Sequence, residues 1–186
     1  MDLVRWARKK AQTKLETMLP RRWAHVQGVG ARAAVAGALF PDDEAELLTA
    51  AGLLHDIGYA PELAHTQFHP LDGARYLAAT DAPERLVHLV AHHSCAYREA
   101  ELRDLGGDLA EFTDETTPLR DALWWADMTT TPDGRVTTVD QRLNEIQARY
   151  GPTDLVTSFI HAACSELTAA VNRTEERLTE AGIVYA

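Results

Sequence analysis

His55 and Asp56 stand side by side at the end of the run Ala-Ala-Gly-Leu-Leu-His55-Asp56-Ile-Gly-Tyr. A carboxylate buried without a partner in such apolar surroundings is costly. A metal ion resolves that cost, because imidazole and carboxylate are both suitable ligands. The chain supplies further candidate ligands at intervals: His25 upstream, and His69, His92, His93 and Asp127 downstream. His55 falls one helical turn after Ala51, and Asp56 one turn after Gly52. Both side chains therefore project beyond small residues that leave room for an ion and its waters.

A single histidine on an apolar helix is more often a hydrogen-bonded core residue than a ligand. His88 and His161 are accordingly read as structural or surface residues, and His65 as a solvated neighbour of the cluster's entrance. The His92-His93 pair divides by pattern. On a helix over 83–93, Leu86, Leu89 and Val90 form the apolar stripe and His93 continues it. His93 is therefore favoured as a ligand, with His92 beside the ligands or at the substrate.

The elements that must position these residues have helical spacing. Residues 2–18 carry Leu3, Trp6, Ala7, Ala11, Leu15 and Met18 on one stripe, which Pro20 is expected to end. A second helix is expected over 22–40. After Pro41, Asp42 is a suitable N-cap for a third, running to about Asp56 before Gly58 and Pro61 break it. Helices are further expected over 69–79 and 83–93, with Pro70 and Pro83 in their first turns. Residues 94–116 read as a short helix plus loop. A helix over 117–129 stops at a turn signal ending Pro132-Asp133-Gly134. Gly151-Pro152 separates two final helices, 137–149 and 153–180. No strand is indicated, so the fold class is all-α. One domain is expected across 1–186, with a site core over about 20–130 and the helices 137–180 packed on it.

The 186 residues suffice for a sizeable core. The formal net charge of −10 repels polynucleotides and anionic membranes, which argues against extended nucleic acid or a membrane as partner. A small anionic substrate stays compatible, since a local metal charge outweighs a distant field. Cys95 and Cys164 form neither a disulfide framework nor a zinc-finger spacing and read as buried thiols of a reducing compartment. The basic, amphipathic start lacks a secretory h-region, and no stretch has the roughly 20 apolar residues of a membrane span. A cytoplasmic location is expected. The first helix and Trp124-Trp125 are read equally well as core or as a dimer interface.

The order H…HD…H…HH…D resembles the HD-domain superfamily of metal-dependent phosphohydrolases. His69 opens His-Pro-Leu-Asp-Gly-Ala, matching the HPxxGA pattern of many dinuclear members, and Asp127 closes Leu-Trp-Trp-Ala-Asp, where the family's last ligand sits. The resemblance implies His25, His55, Asp56, His69, His93 and Asp127 as ligands, with Asp56 bridging two ions. Manganese or iron suits such donors best, with zinc, magnesium, nickel or cobalt as alternatives. The implied reaction is hydrolysis of a phosphate ester or anhydride of a nucleotide or other small phosphorylated metabolite. A water bridging the ions would be the nucleophile. His92 could donate a proton to the leaving oxygen, and Arg98, or else Arg22, Arg120 or Arg135, could hold phosphate.

Within the superfamily the chain looks most like small bacterial stand-alone hydrolases that symmetrically cleave diadenosine tetraphosphate. It departs from them in the short Asp56–His69 interval and in the Met-Thr-Thr-Thr that follows Asp127. It lacks the GYP motif of cyclic-di-GMP phosphodiesterases and the HDxxED extension of alarmone hydrolases. Some members with the same six ligands hold a mixed-valent di-iron centre and act as oxygenases, and others are non-catalytic nucleotide-binding modules. Both are alternative readings.

Overall fold

The computed structural model describes residues 2–185. Its helices are α1 (Leu3–Leu15), α2 (Pro20–Gly37), α3 (Asp42–Leu54), α4 (His69–Ala78), α5 (Glu84–Ala91), α6 (Ala96–Leu102), α7 (Gly106–Leu109), α8 (Pro118–Met128), α9 (Val139–Tyr150) and α10 (Leu155–Glu180). Two 3₁₀ turns, Ile57–Tyr59 and His93–Cys95, follow α3 and α5. Among the described residues there is no strand, only one antiparallel bridge between Thr130 and Val136. The fold is all-α, as the spacing implies.

Two helices form the centre. α3 is apolar on nearly all sides from Leu47 to Leu54, and such a helix is stable only when surrounded. α1, α2, α5 and α8 pack around it. α2 approaches most closely, because a Cβ at Gly52 would lie 3.0 Å from the Ala33 Cβ and 3.2 Å from the Val29 carbonyl oxygen. α8 is buried from Leu119 through Met128 and is covered by α10. Trp124 and Trp125 are wholly buried and belong to the core of this chain rather than to a surface. Their indole N–H groups donate to the His92 carbonyl, at 2.9 Å, and to Glu175, at 3.3 Å. Burying an indole requires such partners.

Several boundaries differ from expectation for identifiable reasons. Pro20 does not end the first helix, which stops at Leu15. It is instead the first residue of α2, where its missing N–H costs nothing. Asp42 is not a cap either. Pro41 occupies the cap position with an extended backbone, and its carbonyl accepts from the Ala45 N–H at 2.9 Å. The acids Asp42, Asp43 and Glu44 then act on the helix dipole from the first turn. α5 ends at Ala91, so His92 and His93 lie beyond it.

The first 3₁₀ turn is clamped against α4. A Cβ on Gly58 would stand 2.1 Å from the His69 carbonyl oxygen and 2.6 Å from the Gly73 nitrogen, both backbone atoms that cannot rotate away. Gly107 has nothing within 4 Å of its virtual Cβ. Gly58→Ala should lower the unfolding free energy by about 2 kcal/mol or more, whereas Gly107→Ala should stay within about 0.5 kcal/mol of the parent. Equilibrium urea denaturation checks the pair, and equal midpoints would refute the clamp.

Candidate metal centre

Helix ends bring the cluster together. His25 lies in the second turn of α2, His55 caps the C-terminus of α3, and Asp56 follows it. His69 is the first residue of α4, His93 opens the second 3₁₀ turn, and Asp127 sits in the last turn of α8. The two oxygens of Asp56 face different histidines. Oδ2 lies 3.4 Å from His55 Nε2 and 3.7 Å from His25 Nε2. Oδ1 lies 3.2 Å from His69 Nε2 and 3.9 Å from His93 Nε2. Asp127 Oδ1 joins the first group, 3.1 Å from His25 Nε2 and 3.8 Å from His55 Nε2. Two three-residue sets that could each hold an ion, His25–His55–Asp56 and Asp56–His69–His93, thus share Asp56.

Backbone carbonyls aim three of the rings. Nδ1 of His55 lies 2.8 Å from the Gly52 oxygen, Nδ1 of His93 2.7 Å from the Val90 oxygen, and Nδ1 of His25 3.0 Å from the Thr131 oxygen. A carbonyl oxygen only accepts, so each Nδ1 carries a proton and Nε2 is the ring atom turned toward the cluster. His55 Nε2 is fully buried and has no hydrogen-bond partner. His69 and His93 approach Nε2 to Nε2 at 3.1 Å. An orphaned buried nitrogen and two facing ring nitrogens are costly as they stand, and divalent ions satisfy both, so these donors fit such ions.

The charges follow from the geometry. Burial opposes ionisation of Asp56, but Arg22 and His55 outweigh it and hold the carboxyl well below its ordinary value. Arg22 Nη1 donates to Asp56 Oδ2 at 2.5 Å while its guanidinium stacks 4.0 Å over Tyr59. Burial likewise opposes charge on Asp127, and His25 and His55 hold its carboxyl low. Burial, with the neighbouring His55 and His69, depresses His93 to about 3, so that ring is neutral. His55 is raised, because Asp56 outweighs the effect of burial.

The loop after α5 is strained to serve this site. Ser94 and Cys95 both have left-handed backbones, with φ of 48° and 59°, which costs on the order of 1–3 kcal/mol for each non-glycine residue. The turn swings His93 inward and lets Ser94 Oγ donate to Asp127 Oδ2 at 2.5 Å.

A cavity of about 270 Å³ opens on the cluster. Two expected site residues do not line it. His92, expected as proton donor, has φ −110° past the end of α5, and its Nε2 donates to the Phe112 carbonyl at 2.8 Å. Arg98, expected to hold phosphate, lies beside Glu166 and the Tyr97 ring. Of the other arginines considered, Arg120 pairs with Asp114 and Arg135 is exposed, whereas Arg22 does reach the cavity. The cavity gains Arg103, Arg142 and Arg149, which sequence reasoning missed. Arg142 had a legible signal, since it interrupts the buried stripe Val139–Leu143–Ile146 of α9. The helices after Asp127, expected to pack on the site core, form one wall of the cavity itself.

Removing the Ser94 hydroxyl in Ser94→Ala should weaken metal binding roughly tenfold without unfolding the chain. Chelator competition reads the change, and an unaltered affinity would exclude Ser94 from orienting Asp127. Because the raised His55 takes up a proton that an ion must displace, affinity should fall as pH drops from about 8 to about 6, with proton release on binding. An affinity that is flat over that range would contradict the assignment of His55.

A family model for the HD domain matches residues 22–142, more than half of the chain. No curated protein matches the chain. No solved structure matches it either. The matched segment contains every member of the cluster, from His25 to Asp127. The chain belongs to the HD-domain family, within a superfamily of metal-dependent phosphohydrolases.

Proposed function

We propose that this protein is a metal-dependent phosphohydrolase acting on a small phosphate ester or anhydride, with His25, His55, Asp56, His69, His93 and Asp127 holding two divalent ions. Manganese and iron suit these donors best. The carrying observation is that the two oxygens of one buried carboxylate face separate pairs of histidines. Such ions, when bound, supply Lewis acidity and bring the pKa of water toward neutrality.

The chain's own residues supply the rest. Four arginines line the cavity of a protein whose net charge is −10; Glu99 and Glu145 neutralise Arg103 and Arg149, and Arg22 and Arg142 stand beside the cluster to meet an anionic group. Arg142 is 7% exposed and its Nε has no hydrogen-bond partner, which leaves a buried donor free to take a phosphate oxygen. Tyr59, stacked on the His69 ring at 4.0 Å, keeps that imidazole in place. The Nδ1–carbonyl bonds hold the other rings, so little reorganisation is needed when substrate arrives. His92 is left with a structural part, tying the α5 end to Phe112.

Protein loaded with manganese or ferrous iron should release orthophosphate from small phosphate esters. Asp56→Ala should lose both bound metal and activity. Arg142→Gln should raise KM about tenfold or more, as expected for losing a charged hydrogen bond, while His92→Gln should retain metal and turnover. Metal content by mass spectrometry and phosphate release together check this. Full metal loading with no phosphate released from any ester or anhydride would overturn the proposal.

A further inference from the structure

The cavity carries two kinds of lining. The cluster, four arginines, Gln67, Glu99 and Tyr150 are polar, and the face that α10 presents is apolar. α10 contributes only Val156, Phe159, Ile160 and Leu167, all on one face at helical spacing. Ile146 on α9 and Met128 on α8 extend the same apolar surface. Phe159, Ile160 and Leu167 are 8%, 2% and 0% exposed, so this wall is part of the core and its shape is preset. None of these six side chains can donate a hydrogen bond or accept a strong one, so a nucleobase placed against them would leave its polar edge unpaired. At about 270 Å³ the cavity is also at the small end of ligand sites, about 300 Å³ and upward.

On the reading given under Proposed function, we propose that the substrate is a phosphate monoester of a small apolar alcohol, alkyl or aryl, and not a nucleotide. The phosphate lies at the cluster, against Arg22 and Arg142, and the organic group lies on the α10 wall. In hydrolysis a water oxygen forms the new bond to phosphorus and the bond to the alcohol oxygen breaks. That oxygen leaves with a proton, giving the free alcohol and orthophosphate.

Alkylphosphonates cannot be hydrolysed and so separate binding from turnover. Calorimetric titration of the manganese-loaded full chain with methyl-, propyl- and hexylphosphonate should show affinity rising about fourfold per added methylene. Val156→Asn, at a half-buried position, should weaken hexylphosphonate about tenfold and leave methylphosphonate unchanged, which also shows that the variant is folded. Arg142→Gln should weaken all three alike. Affinity independent of chain length, no measurable binding, or tighter binding of adenosine monophosphate than of hexylphosphonate would each overturn the assignment. Chain-length-dependent binding with no cleavage of hexyl phosphate would uphold the apolar pocket and sink the phosphohydrolase reading. Cleavage of esters with flat chain-length dependence would do the reverse.

Discussion

The constraint on which the structure turns is the burial of the Asp56 carboxylate, which is only 3% exposed. An isolated charge in that position would cost far more than a domain of this size has in net stability. The fold answers by surrounding it with imidazoles and one guanidinium drawn from α2, the end of α3, the start of α4 and the turn after α5. Three of these imidazoles are held in turn at Nδ1 by the backbone carbonyls of Gly52, Val90 and Thr131. The demand for neutralisation thus spreads outward from one side chain to the ends of the helices around it.

Helix ends suit this purpose because their chain direction can change over one residue. The interior of α3 is committed to packing, with glycine and alanine letting α2 lie close. Its last residues escape that commitment and turn their polar groups to the centre. The left-handed backbones at Ser94 and Cys95 show the cost of the arrangement: packing around the loop holds a conformation the local sequence disfavours, and in return His93 and Ser94 reach the cluster.

Charge is distributed with the same economy. The chain is acidic overall, yet Arg22, Arg103, Arg142 and Arg149 converge where α2, α6 and α9 meet the cavity. Arg103 and Arg149 are neutralised by Glu99 and Glu145. Arg142 shares Glu145 but keeps an unpartnered Nε. The opposite wall, from α10, has no charge to offer.

The all-α class and the approximate extent of the long helices are legible in the residues, and the histidines and aspartates of the cluster in the order they share with the HD-domain family. These are local properties: periodicity, proline and glycine breaks, and the high cost of burying an aspartate and several histidines together. Pattern even favoured His93 over His92, although through a helix that ends two residues earlier than supposed. What only the tertiary structure decided was orientation across long intervals. His92 and Arg98 carry chemistry suited to a site, but His92, past the end of α5, meets Phe112, and Arg98 lies beside Glu166. Arg142 lies 86 residues from Asp56, yet α9 folds back over the cavity and places it there. The apolar face of α10 is likewise set against the cavity only by the fold. A residue type and its period state what a side chain can do, whereas the packing of distant helices states what it faces.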